Sequence, residues 1–229
     1  MKDREIDRAL EKAAGPARTV EPDVLKRIAD TIEPTLRPVR PLPPAWLLRS
    51  ALVLVCAAVS VLGAARAGFF GFEKLGVPER ALIFSMLAVL AWVSGARFVG
   101  ELIPGTRRRL DARALLALVS VALLGVFALL FRDYHTDHFV SSGIACLLTG
   151  VAHAVPAALL GGLLLRRGFA VNPVAAGLAG GALGGLAGVT LLELNCVNFQ
   201  ALHVLVWHTA VVPASAAAGA LVGWALSAR

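Results

Sequence analysis

Cysteine and histidine carry the richest chemistry in this chain, and their placement is lopsided. There are three cysteines and five histidines in 229 residues. His135, Asp137 and His138 precede a long apolar run. Cys146 stands about seven residues into that run, and His153 follows two helical turns later near the same face. Cys196 lies in a short polar break, and His203 and His208 come just after it, inside HVLVWH. Only Cys56 is separate. Thiols and imidazoles together suit soft or borderline metal ions. Two thiols in an oxidising compartment can instead form a reversible disulfide. The spacing matches no zinc motif. An isolated thiol in an apolar helix is ordinarily a small filler, whereas clustered polar groups at membrane depth are expensive and usually functional. These residues therefore nominate Cys146, Cys196, His203 and His208 as signal-sensing groups. Cys146, Cys196, His203 and His153 are nominated as ligands for a transient heavy-metal ion. No resident cofactor is predicted, and no catalytic residue: phosphate-binding loop, dinucleotide fingerprint and nucleophile elbow are all absent.

The elements that must position these groups are membrane helices. Hydrophobic residues make up 58% of the chain and mean hydropathy is +0.75, well above a soluble domain's usual composition. Crossing the hydrocarbon takes roughly 20 apolar residues. Six stretches meet that length, at 45–65, 81–103, 112–131, 139–165, 173–194 and 200–226. The breaks between them are short, so neighbouring helices run antiparallel. The predicted fold is all-α, a polytopic six-helix bundle over 45–229 that follows an N-terminal tail, 1–44. The N-terminus opens with MKDREIDRALEK and the first apolar run begins near Trp46, so an uncleaved first span is expected to direct insertion.

Charge sets the expected topology. Eight of the 15 acidic residues precede residue 45 and nearly balance the tail's nine Lys and Arg, so the net charge of +7 resides in the membrane part. Arg107, Arg108, Arg109, Arg113, Arg166, Arg167 and Arg229 fall on the tail's side, against Arg66, Lys74, Arg80 and Arg132 opposite. The positive-inside rule then places both termini in the cytoplasm of a bacterial inner membrane, with the cysteine-bearing loops outside. This basic balance reads as topology and contact with membrane lipid, not as a nucleic-acid footprint. Gly177, Gly181 and Gly185, with Gly180, Gly184 and Gly188, form small-residue stripes expected to be packing faces, as do Gly219 and Gly223. Arg97 and Glu101 are spaced for a local ion pair. Pro156 and Pro213 predict kinks. By composition the Gly- and Ala-rich fifth span is the weakest of the six.

In the tail, Pro22 to Glu33 reads as a short amphipathic helix, with Pro22 in its first turn, Asp23 complementing its dipole and Pro34 ending it. Val24, Leu25, Ile28 and Ile32 share one face. DREIDRALEKAA offers a thinner stripe of Ile6, Ala9, Leu10 and Ala13. Helices this short are marginal alone in water, so each needs a surface to pack on, either the membrane or a protein partner. Residues 34–44, PTLRPVRPLPP, favour the partner. Five prolines in eleven positions make an extended spacer of roughly 34 Å, which holds the stripe away from the bilayer.

Several stretches together resemble the NrsF family, membrane anti-sigma factors named as negative regulators of sigma F. They are RPVRPLPPAW at the end of the tail, CLLTG with a downstream LLLRRG, and NCVNFQALHVLVWH, whose strongest marks are Cys146, Cys196, His203, Trp207 and His208. The resemblance implies a sequestration switch. The cytoplasmic segment holds an extracytoplasmic-function sigma factor away from RNA polymerase, and Val24, Leu25, Ile28 and Ile32 are the partner-binding stripe. A heavy metal or an oxidant acts through the paired cysteines, Cys146 and Cys196, to release it; the resemblance assigns Cys56 no role. Such a protein is a signalling protein and not an enzyme. A small-solute or metal-ion transporter and a membrane thiol redox enzyme are the alternative readings. The first would want polar residues continuing through the bundle, the second a quinone or partner site. No motif sets an oligomeric state.

Overall fold

The computed structural model describes residue 12 and residues 21–32, 43–103, 110–167, 170 and 172–227, with the backbone alone at 164–167. The chain divides into two compact units, Met1–Leu42 and Pro43–Arg229. In the first, helix α1 spans Pro22–Ile32. Pro22 and Asp23 occupy its first turn, where a missing N–H is harmless and a negative charge is favoured. Thr31 Oγ1 donates to the Arg27 carbonyl at 2.7 Å. None of its residues is buried, and Leu25, Ile28 and Ile32 are 55%, 48% and 47% exposed. The apolar stripe is formed and uncovered within its own unit. The stretch 1–11 with its thinner stripe, the proline spacer at 34–42 and the arginines 107–109 lie outside the described residues.

Among its described residues the second unit contains six helices long and apolar enough to cross a membrane: α2 (Ala45–Ala67), α4 (Val77–Leu102), α5 (Ala112–Leu130), α6 (Phe139–Arg167), α7 (Pro173–Asn195) and α8 (Ala201–Ser227), with a short α3 (Phe70–Lys74) between the first two. No strand occurs among the described residues. Local chemistry explains the ends. Asp111 caps α5 by accepting the Arg113 N–H at 3.1 Å, and Asn172 caps α7 by accepting the Ala175 N–H at 3.0 Å. Helix α2 stops at Gly68, whose φ of 109° suits a residue without Cβ. Helix α4 begins at Val77 instead of 81, because Pro78 and Glu79 are good first-turn residues. Pro156 and Pro213 both lie inside helices. Arg97 and Glu101 form the expected ion pair, largely buried in α4.

The glycine-rich α7 is the centre of the bundle. Over its most apolar stretch 72% of α7 is buried, against 22–44% for the other five spans. Lipid gives helices no hydrophobic reason to associate, so close backbone approach must supply the attraction. A Cβ on Gly177 would collide with the Gly219 carbonyl, on Gly181 with the Ser215 carbonyl, and on Gly185 with Val212 Cα, all on α8. On the other stripe, Gly184 and Gly188 face Ala154 and Gly150 of α6, and Gly180 faces the Phe98 ring of α4. Each stripe thus seats different neighbours. Ser60 of α2 adds a polar tie, donating to the Ala187 carbonyl at 2.7 Å.

Candidate functional site

Three segments converge at one end of the bundle. The first turns of α6 bring Ser142 and Cys146, the connection after α7 brings Cys196, and the start of α8 brings His203 and His208. The Cys146 and Cys196 sulfurs lie 3.6 Å apart, both as free thiols. His203 Nε2 is 3.7 Å from Cys196 Sγ, and its Nδ1 is 3.5 Å from Ser142 Oγ. Ser142 in turn donates to the His138 carbonyl at 2.7 Å. One ligand atom from each of Cys146, Cys196, His203 and His208 falls within a 4.8 Å group.

A local irregularity makes this cluster possible. Residues five apart on a regular α-helix point about 140° away from each other, so His203 and His208 would diverge. Here Val204–His208 forms a π turn, closed by the Thr209 N–H on the Val204 carbonyl. An i→i+5 bond stacks the fifth residue over the first, and the two imidazoles meet edge to face at 5.3 Å between ring centres. The intervening Trp207 packs on α6, tilted against Phe139 at 5.5 Å, and any Cβ on Gly143 would collide with its indole.

Behind the cluster stands Glu193, from the last turn of α7. Its Oε1 is 2.6 Å from His208 Nδ1, and both side chains are fully buried. It is not among the residues singled out from the sequence. The available signal was an acidic residue at the end of the apolar run LLELNC, where burial of a carboxylate demands a partner. A cavity of about 540 Å³ reaches Cys146, Cys196 and His203, and is also lined by Ser142, Ala67 and Phe70.

The remaining candidates lie elsewhere. His153 is not among the four; its Nδ1 engages the Thr149 carbonyl at 2.9 Å and its ring lies against Gly63. Seven residues along α6 carry it about 10 Å deeper than Cys146, and His208 is the fourth member of the group instead. His135 is exposed, 2.5 Å from Asp133 Oδ1. That hydrogen bond raises the imidazole above its ordinary value and lowers the carboxyl. Cys56 is buried in α2, away from the cluster.

The first connection is fastened to the cysteine loop. Lys74 Nζ donates to the Val197 carbonyl at 3.1 Å, and Asn195 Nδ2 donates to the Gly68 carbonyl at 3.0 Å. Gly71 sits against the backbone of Glu193 and Cys196, each carbonyl 2.7 Å from where a Cβ would stand. From the third connection, the Asp133 carbonyl accepts the Ala201 N–H at 2.5 Å, and Phe131 stacks on Phe199 at 5.2 Å. The hydrogen bond shared with Cys146, then burial, pushes the Cys196 thiol above its ordinary value, so it keeps its proton at neutral pH. Chemically the cluster can bind a soft cation or, with the sulfurs drawn about 1.5 Å closer, close a disulfide.

No curated protein and no solved structure matches the chain. The family model for NrsF, described as negative regulator of sigma F, matches residues 34–227, from the proline spacer through the last helix. With most of its length matched, including Cys146, Cys196, His203 and His208, the chain belongs to the NrsF family of negative regulators of sigma F.

Proposed function

We propose that this protein is a membrane anti-sigma factor that holds an extracytoplasmic-function sigma factor through its N-terminal segment. In this reading it lets the sigma factor go when a metal ion or an oxidant reaches Cys146 and Cys196. The family match over residues 34–227 carries the reading, because it gives the class of activity, negative regulation of a sigma factor. Two features support the finer scheme. The sulfurs stand 3.6 Å apart beside a cavity that admits a small reactant. The apolar stripe of α1, ahead of the matched residues, is exposed and of the kind that docks in a groove. The uneven distribution of Lys and Arg supports a cytoplasmic stripe, with the thiols on the far side of the inner membrane. A signal acts only by favouring one state of the bundle over the other.

Co-purification tests the reading. Full-length protein solubilised from membranes brings down a sigma factor, and adding cadmium or a mild oxidant before solubilisation removes it. In Cys146→Ser/Cys196→Ser the sigma factor stays bound under both treatments. Release that persists in the double variant refutes sensing by the thiols. Reporter fusions placing residues 20 and 196 in one compartment refute the topology.

A further inference from the structure

Two separations within the cluster match those of a tetrahedral metal site. A four-coordinate ion with bonds of about 2.3 Å to sulfur and 2.0–2.1 Å to nitrogen holds its sulfurs about 3.8 Å apart, and sulfur from nitrogen about 3.6 Å. The corresponding separations here are 3.6 Å between the cysteines and 3.7 Å from Cys196 Sγ to His203 Nε2. All four ligand atoms lie within 4.8 Å of one another.

Glu193 supplies an independent observation. It engages Nδ1 of His208, leaving Nε2 as the nitrogen free to face a ligand. That Nε2 is buried and makes no hydrogen bond of ordinary geometry. The ring instead interacts with the Cys196 side chain, and a buried nitrogen short of a regular hydrogen bond calls for an explanation. A carboxylate behind the far nitrogen of an imidazole is also the recurrent arrangement that orients a histidine toward a metal. The cavity beside Cys146, Cys196 and His203 provides the entry path.

We propose that Cys146, Cys196, His203 and His208 together bind one divalent cation of the zinc class, Zn²⁺ or Cd²⁺, with Glu193 as the positioning residue that aims His208. The proposal rests on the reading of this cluster as the sensor and narrows its direct ligand to a divalent cation. Two thiols and two imidazoles select such an ion over Mg²⁺ or Ca²⁺, which want oxygen ligands. On binding, each cysteine gives up its proton to solvent and its sulfur bonds to the ion; nothing is oxidised. The π turn is integral to the site, since without it His208 would point away.

The test uses reduced, full-length protein in detergent, titrated with Cd²⁺ and followed by the ultraviolet absorption of cadmium–thiolate bonds. Zn²⁺ affinity is measured by chelator competition. One ion per chain is expected. Cys146→Ser, His203→Ala and His208→Ala each weaken it severely, and His153→Ala leaves it unchanged. Glu193→Gln lowers affinity on the order of 10–100-fold while keeping the stoichiometry and the cadmium–thiolate band, and Glu193→Asp recovers part of the loss. Helix content and melting of the metal-free Glu193→Asp variant check that the fold is intact. Affinity within twofold of wild type in both Glu193 variants overturns the positioning role. Absence of a bound ion in wild type, or binding indifferent to His203→Ala and His208→Ala, overturns the site. A chain that binds the ion yet keeps its sigma factor refutes the regulatory reading and leaves the site standing, so the two failures are distinguishable.

Discussion

Replacing Gly181 by alanine measures how much of the bundle rests on the close approach of α7 and α8. The added methyl would overlap the Ser215 carbonyl and lie 2.8 Å from Ala216 Cα, where ordinary contact is 3.4–4 Å. Both obstacles include backbone, so no side-chain rotation relieves them. The Ser215 oxygen lies 2.3 Å from the methyl position, so the helices must part by about 1.1–1.7 Å, and overpacking of that kind costs about 1–3 kcal/mol. Gly95→Ala is the matched control. Its methyl would meet Val53 Cγ2 at 3.8 Å and Leu183 Cδ2 at 4.0 Å, both ordinary contacts, and the better helix propensity contributes about 0.5–1 kcal/mol. Gly181→Ala gains the same propensity, so the two variants should differ by the overpacking cost alone, about 1–3 kcal/mol, a factor of roughly five to about 160 in the folded-to-unfolded ratio. Unfolding in mixed micelles, followed by helical circular dichroism, reads this difference directly. If Gly181→Ala is as stable as Gly95→Ala, glycine packing does not hold α7 and α8 together, and the explanation of the bundle's centre given above is wrong.

Three further outcomes are expected. A mild oxidant should link Cys146 to Cys196 within one chain, seen as a faster-migrating, reductant-sensitive band that Cys146→Ser and Cys196→Ser abolish and Cys56→Ser retains; a band lost with Cys56 refutes the pairing. Leu25→Asp/Ile28→Asp should reduce sigma-factor recovery at least about tenfold, since two charges in a helix-in-groove contact are strongly unfavourable, while the melting of Pro43–Arg229 is unchanged. Asp133→Asn should lower the titration midpoint of His135 toward its ordinary value, because the Asp133 hydrogen bond is what raises it; this pair is fully formed below the ordinary histidine value and is lost as pH rises through the elevated one, and ring-proton NMR in micelles follows the shift.

Much of the fold was legible because hydropathy and length decide a membrane span. The ends of α5 and α6 fall within two residues of the expected 112–131 and 139–165. Hydropathy misleads at α7, since it measures suitability for lipid and a central helix meets other helices; glycine looks weak on that scale and is what the position requires. Charge and turn residues concealed α3, where FGFEK reads as a loop until it packs beneath the cysteine connection. Clustering of thiols and imidazoles in the sequence anticipated that Cys146, Cys196, His203 and His208 come together in space. It could not separate His153 from the group, because helical phase ignores depth. Nor could any residue in VLVWH announce a π turn, which is a backbone arrangement stabilised by neighbours such as Gly143. Glu193 became visible only once His208 was seen to face it.

Gly71 makes the cysteine loop and the first connection a single solid piece. With the carbonyls of Glu193 and Cys196 each 2.7 Å from the position a methyl would occupy, no slack separates them, and Lys74 and Asn195 pin the joint on either side. Any movement of the Cys196 backbone that accompanies closing the sulfurs by about 1.5 Å therefore bears on the C-terminal end of α2 like a key on a rod. The opposite end of that rod is Ala45, one residue after the prolines.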